Sequence, residues 1–380
     1  MRKGEDGILD LLGKYFPNSH PQMPMGRGDD CALITVPLSY DNVPVFAVTS
    51  DIFAENAHFR TTYFAPEEIG HKALAVNISD LAGNGASPLA FSLNLTLTEN
   101  QNYAWLEKFF QGMAKLAQQY NMVLCGGDLT KVPVPTLLQE KTKAENLDPY
   151  SLSGLNIGIT AWGTYQHQGM PLMRHRAYTK PQNIQKPIAC MKQGDILFYI
   201  GEIGLARTGF YLLEEYGFNE QGKKLCMQKY PHAIKAHLMP EPKVKEGIAL
   251  SLFAKEHKVF AMDISDGLMR DVPRLLACEG LVLDDEKTFG ANITLKQENI
   301  HAEIIAYCQE KNIDPLSFAY KGGEDYGLLG VCAEEAFPLL QAYWQKENLL
   351  PIQYLGKVTE KNIMVNNQEI KEVGFDHFEK

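Results

Sequence analysis

A chain of 380 residues exceeds the size at which one hydrophobic core keeps growing, so two domains are expected, and 45% hydrophobic with 22% charged residues marks an ordinary globular composition. The formal net charge of −10, with no long Lys/Arg stripe to offset it, argues against a nucleic-acid scaffold and means that a phosphate ligand would need metal ions as a bridge. The seven cysteines form no C-x-x-C pair and no Cys/His ligand spacing, and no apolar stretch nears the length of a membrane span, so a cytoplasmic protein with small buried thiols and no membrane partner is expected.

In chain order, Ile8 to Phe16 carries apolar residues at helical spacing, and a loop rich in Pro, Met and Gly follows from Pro17 to Asp30. Cys31 to Val36 and Val43 to Thr49 read as strands. Pro66 to Ser79 reads as a helix, because Pro66 suits the first helical position and Glu67 and Glu68 place negative charge in the first turn. Phe91 to Leu97 reads as a strand, Tyr103 to Tyr120 as an amphipathic helix leading into a strand before Gly126, and Leu155 to Gly163 as a strand after an irregular stretch from Pro133 to Gly154. The first domain is expected to end near residue 165, giving domains 1–165 and 166–380. A second irregular stretch, Tyr178 to Gln193, precedes the strand Asp195 to Ile200. A turn with Gly201, Gly204 and Gly209 then follows, expected to let a helix pack closely on a strand, with a helix through Glu215 and α/β alternation to the end.

Acidic residues recur in clusters with small neighbours: Gly28-Asp29-Asp30, Thr49-Ser50-Asp51, Asn77-Ile78-Ser79-Asp80, Gly126-Gly127-Asp128, Asp263-Ile264-Ser265-Asp266-Gly267 and Gly322-Gly323-Glu324-Asp325. Any one of these alone reads as a turn, since Asp hydrogen-bonds its own backbone and Gly accepts positive φ. Three of them follow short apolar runs of buried-strand type, at residues 45–48, 122–125 and 259–262, which predicts that each carboxylate sits at a strand's C-terminal end, where α/β proteins place ligands. Several carboxylates without matching lysines suit a protein that holds more than one Mg²⁺ against a polyphosphate.

Other motifs carry less. Gly217 to Lys224 nearly matches a phosphate-binding loop but places Lys224 where Ser or Thr should bind Mg²⁺ and follows a helical segment, so it is not expected to cradle phosphate. The histidines are scattered, with no local signature of nucleophilic catalysis. His58, seven residues past Asp51, stands out, with a plain surface-loop histidine as the alternative.

Taken in order, the clusters resemble the thiamine-monophosphate kinases, members of the aminoimidazole-ribonucleotide-synthetase-like ATP-binding superfamily. The carriers are Gly28 to Leu33, Thr49-Ser50-Asp51 with His58-Phe59, Gly70 to Ala82, Gly126-Gly127-Asp128, Gly194-Asp195, Asp263 to Leu268, Gly322 to Tyr326 and Gly374 to Phe378, spread over nearly the whole chain. The resemblance implies an α/β (α+β) fold of two domains, the first a mixed sheet with helices that dimerises through its sheet, the second an α/β sandwich, with ATP and metals in a cleft near the subunit interface. It implies Mg²⁺ binding by Asp30, Thr49, Ser50, Asp51, Asp80, Asp128, Asp263 and Asp266, and ATP contacts from Gly127, Asp128, Arg174 and Ser265. It also implies that His58 and Glu324 face the acceptor, that an aromatic residue, here Phe375, stacks on it, and that Asp51, Asp128 and Arg174 serve the chemistry. The implied reaction is in-line transfer from ATP to thiamine monophosphate. This chemistry needs no strong base, because the attacking phosphate oxygen is already an anion.

Departures from the family pattern bear on two points. Arg174-His175-Arg176-Ala177 precedes a long insertion before Gly194-Asp195, which leaves the phosphate contact open between Arg174 and Arg176. Gly327 stands where the family carries Glu, and Glu372 stands near the expected stacking aromatic, which leaves another small phosphorylated or carboxylated acceptor as the alternative. A non-catalytic nucleotide-binding protein is the third reading, opposed by the clustering of acids that raise one another's pKa unless a cation compensates.

Overall fold

The computed structural model describes residues 5–16, 21, 45–132, 154–165, 169–172, 191–277 and 289–369. The first helix, α1 (Glu5–Tyr15), packs on α3 (Tyr103–Gln119), and α3 begins where the Asn102 side chain accepts from the Trp105 N–H. Between them in sequence lie β1 (Phe46–Ala54), α2 (Pro66–Gly83) and β2 (Ser87–Leu97), and β3 (Val123–Lys131) and β4 (Asn156–Thr164) follow. These strands form one sheet in the order β1-β4-β2-β3, in which only β2 and β3 run parallel, joined through α3.

The second sheet takes β5 (Ile196–Ile200), β6 (Val259–Asp263), β7 (Gly290–Ile293), β8 (Leu328–Cys332), β9 (Ile352–Thr359), β10 (Ile363–Val365) and β11 (Gln368–Glu369) in the order β11-β10-β7-β9-β5-β8-β6. Its helices are α4 (Leu205–Tyr216), α5 (Glu220–Lys229), α6 (Pro231–Leu238), α7 (Val244–Phe253), α8 (Leu268–Leu276), α9 (Ala302–Lys311), α10 (Pro315–Tyr320) and α11 (Phe337–Lys346). The architecture is thus the expected mixture of helices with two sheets.

What positions the site is α2. Pro66 opens it and the Glu68 carboxylate accepts from the Ala65 N–H at 2.7 Å, satisfying one of the donors a helix start leaves unpaired. From Ile69 to Gly83 every residue except Asp80 is buried, because the helix packs on β1, β2 and β4 on one side and on β6 and α7 on the other. Asp80, in the last turn, is the one residue of this stretch that is not buried.

Two sequence expectations change. Asp51 and Asp128 lie within strands rather than at their ends: β1 pairs with β4 along its full length, from Phe46↔Thr164 to Ala54↔Asn156, and β3 continues past Gly126-Gly127 to Lys131 against β2. Only Asp263 ends its strand. Gly209 lies inside α4, and a Cβ there would come 2.1 Å from the Ala233 carbonyl oxygen, so the glycine lets α4 approach α6 and not a strand. The near-match at Gly217 to Lys224 is the junction of α4 and α5, with Gly222 N–H donating to the Asn219 side chain at 2.8 Å. Among the described residues no helix is long and apolar enough to cross a membrane, and the described cysteines Cys125, Cys226, Cys308 and Cys332 are free thiols.

Candidate active site

A cleft of about 610 Å³ opens between β1, the loop after it, α2, α4, and the loops 263–267 and 322–326. At one end three elements converge: Asp51 from β1, Asp80 from α2 and Asp263 from β6 all line it. Burial, and then the neighbouring Asp80 charge, push the Asp51 carboxyl up to about 7. The same two causes raise Asp263 well above the ordinary carboxylate range, although the Ser79 hydroxyl, donating at 2.8 Å, opposes the shift. Thr49, on the same face of β1 as Asp51, donates its hydroxyl hydrogen bond to Asp80. These are hard oxygen donors whose mutual repulsion a divalent cation would relieve.

The loops beneath them are held by two carboxylates, Asp271, which lies outside the acidic clusters, and Asp325, which ends the last of them. Asp271 in α8 is buried and accepts from the N–H groups of Ser265, Asp266 and Gly267 at 3.0 to 3.1 Å, which fixes the 263–267 loop. Burial followed by the Asp266 charge pushes its carboxyl up to about 6. Asp325 accepts from Gly204 and Ala206 at 2.6 and 3.0 Å and so caps α4. The two loops also join each other, because Glu324 N–H donates to the Ser265 carbonyl at 2.7 Å and Tyr326 N–H to the Ile264 carbonyl at 2.9 Å, extending the β6–β8 ladder.

His58, Glu324 and His237 also line the cleft. His58 stacks on Phe53 with ring centroids 5.6 Å apart, and its Nδ1 accepts from the Ala54 N–H at 3.0 Å, so the neutral ring carries its proton on Nε2. Glu324 meets two buried partners: Lys72 Nζ lies 3.0 Å from Oε1 and His237 Nδ1 lies 3.2 Å from Oε2. Tyr63, Phe210 and Tyr211 supply aromatic walls. Arg60, Arg207 and Lys321 bring positive charge to the lining, with Arg60 braced by Glu214 at 2.6 Å and the Arg207 guanidinium 4.6 Å above the Phe318 ring.

Residues 28–150 match the family model for the N-terminal domain of AIR synthase related proteins. The thiamine-monophosphate kinase of Buchnera aphidicola subsp. Acyrthosiphon pisum is 30% identical over 98% of this chain and 98% of its own length. The chain belongs to the thiamine-monophosphate kinase family. Its fold is that of the crystal structure of thiamine-monophosphate kinase from Stenotrophomonas maltophilia K279a, with a TM-score of 0.72 at 24% identity over 97% of this chain and 99% of that one. A structure described as AaThiL complexed with AMPPCP and TMP aligns with a TM-score of 0.66 at 22% identity over 100% and 99% of the two chains.

Within this thiamine-monophosphate kinase family member, the residues named from sequence fall into four groups. Asp51, Asp80, Asp263, Ser265, Asp266, His58 and Glu324 line one cleft, and Thr49 adjoins it through Asp80. Asp266 is already paired, with Arg274 at 2.5 Å and Arg270 at 3.5 Å. Ser50, one residue out of phase with Asp51, faces the other side of the sheet, where its hydroxyl meets Thr160 Oγ1 at 3.0 Å. Gly127 and Asp128 line a separate hollow of about 120 Å³ beside Leu12, Leu93 and Leu124. Asp30, Arg174 and its alternative Arg176, and Phe375 with Glu372, lie outside the described residues.

Sequence reasoning missed Lys72, His237, Asp271 and the cationic lining. The available signal was Lys72 itself, a charged residue directly before the small and apolar run from Ala73 to Val76.

Gly127 has φ +148°, and a Cβ there would lie 1.9 Å from the Leu93 carbonyl oxygen. Gly127→Ala is expected to separate β3 from β2 and lower stability by about 2 kcal/mol or more. An unchanged denaturation midpoint would show that the strands can part without cost.

Proposed function

We propose that this protein transfers the γ-phosphoryl group of ATP to the phosphate of thiamine monophosphate, forming thiamine diphosphate and ADP, in a Mg²⁺-dependent reaction. The observation that carries this reading is the convergence of Asp51, Asp80 and Asp263, from three separate elements, on one cleft that His58 and Glu324 also line. The sequence relationship to thiamine-monophosphate kinases over the full length supports the same reaction, and a fold relative described as complexed with AMPPCP and TMP supports the pair of ligands.

The donor set fits Mg²⁺. Among the described residues no three His, Cys, Asp or Glu side chains form a preassembled cage, so an ion here would need water and substrate phosphates for most of its ligands. Bound there, Mg²⁺ supplies charge screening and in-line alignment of two polyanions. Asp51, Asp80 and Asp263 would hold it; of the other ligands expected from sequence, Thr49 hydrogen-bonds Asp80, Asp266 is paired with Arg274, Ser50 and Asp128 lie away from this cleft, and Asp30 is outside the described residues. The chain's own residues do the rest. The Asp271-braced loop presents Ser265 to the nucleotide, His58 Nε2–H and Glu324 orient the acceptor, and the aromatic walls exclude water around the transferring group.

The division at residue 165, the cytoplasmic setting and a homodimer formed through the first sheet belong to the same reading. Support for the dimer comes from β1, whose outward residues Val48 and Ile52 are 58% and 68% exposed. The deciding experiment incubates purified protein with ATP, Mg²⁺ and thiamine monophosphate and follows diphosphate by chromatography beside a thiamine-only control. Thiamine diphosphate from the monophosphate alone is the expected result. ATP binding without product would move the acceptor to another small phosphorylated compound.

A further inference from the structure

Lys72 is wholly buried in the middle of α2, where a leucine would pack without any desolvation cost. A buried ion pair is seldom more stabilising than apolar side chains of equal volume, and often less, so stability alone does not account for it. Its ammonium pairs with Glu324 Oε1 at 3.0 Å, with His237 Nδ1 3.5 Å away and the Phe64 ring 5.5 Å beneath it, and the second Glu324 oxygen is taken by His237. Glu324 is itself conformationally unusual. Its φ of 64° is left-handed backbone, which is unfavourable for a residue with a Cβ and persists only where the surroundings over-determine it.

The surroundings do so from three directions. The Glu324 N–H is tied to the Ser265 carbonyl at 2.7 Å, and its side chain is tied to α2 through Lys72 and to α6 through His237. Burial opposes the Glu324 charge, but Lys72 and the His237 hydrogen bond outweigh it and hold the carboxyl well below the ordinary range. Burial, and then the Lys72 charge, push His237 down to about 4, so its ring is neutral and donates from Nδ1. His237 is in turn boxed by Phe64 and Phe210, with ring centroids at 5.3 and 5.6 Å.

We propose that Lys72 and His237 are positioning residues for acceptor recognition: they fix the Glu324 carboxylate in one orientation beside the aromatic wall of the cleft, where it takes a hydrogen-bonding or cationic nitrogen heteroaromatic ring. The inference rests on the kinase reading above and adds to it the element that selects the ring end of the acceptor.

The test is steady-state kinetics with ATP and thiamine monophosphate on wild type, Lys72→Met, Glu324→Gln and the double variant. Lys72→Met is expected to raise KM for thiamine monophosphate about tenfold or more with KM for ATP within about twofold, and to add nothing further in the Glu324→Gln background, because both changes remove one interaction. His237→Asn, whose amide nitrogen can stand where Nδ1 does, should keep the acceptor KM that His237→Leu loses. If Lys72→Met does not fold, the His237 pair in the wild-type and Glu324→Gln backgrounds carries the same comparison. Additive effects, or equal losses for ATP and acceptor, would overturn the positioning role and leave the kinase reading standing. Absence of wild-type turnover with thiamine monophosphate would overturn both.

Discussion

Asp51→Asn is expected to lower turnover by about a thousandfold or more while leaving the metal-free protein at least as stable as wild type above neutral pH. The two effects have one cause. Asp51 is held beside Asp80 in a partly desolvated cleft, and its carboxyl is pushed from 3.8 up to about 7 by burial first and by Asp80 second. The folded state therefore binds a proton that the unfolded chain releases, so this group's contribution to stability falls as pH rises from about 4 to about 7. Asparagine carries no such proton, so with chelator present the variant should melt above wild type at pH 8 and the difference should shrink toward pH 4. Adding Mg²⁺ should raise the wild-type melting temperature more than the variant's, because the ion binds the folded state through the carboxylate that the variant lacks. Turnover at the wild-type level by Asp51→Asn would remove Asp51 from the reaction. A melting difference that does not vary with pH would remove the account of its charge.

The cleft was legible in sequence to the extent that its parts are local. The Asp263 to Gly267 and Gly322 to Asp325 clusters announce turns, the first after a strand-like run and the second before the apolar run that becomes β8, and a turn needs no partner to be recognised. What joins them is not local. Asp271 accepts three N–H groups only because α8 folds back over its own entry loop, and Asp325 caps a helix through Gly204, 121 residues earlier. Lys72 shows the same limit from the other side, since in a helix read from its own residues a lysine is a solvent-facing residue, and only the second sheet makes its site an interior one. The strand-end expectation for Asp51 and Asp128 failed for a related reason: an apolar run followed by small residues signals the end of burial, whereas pairing with β4 and β2 continues the strand beyond it.

That continuation matters most at Asp128, and it leads to the second large effect. Asp51, Ile159, Leu93 and Gly127 occupy one row across the first sheet. Residues in a row face the same side, so Asp128, the next residue after Gly127, faces away from the Asp51 side. It also lies three strands from Asp51, about 14 Å at the ordinary spacing of paired strands. A carboxylate so placed does not reach the Asp51 cleft of its own protomer, yet the family resemblance assigns both residues to the same metals and nucleotide. The two assignments agree if two copies pair through the face that carries Val48 and Ile52, so that Asp128 of one protomer completes the cleft of the other. Asp51→Asn and Asp128→Asn, each inactive alone, are then expected to recover about a quarter of wild-type activity when co-refolded in equal amounts: half of the dimers are mixed, and each mixed dimer has one of its two sites with both aspartates intact. Mixed dimers that form and remain inactive would place Asp128 in its own protomer's site. Wild-type turnover by Asp128→Asn alone would take it out of the reaction, in which case the hollow beside Leu12 has no part in phosphoryl transfer.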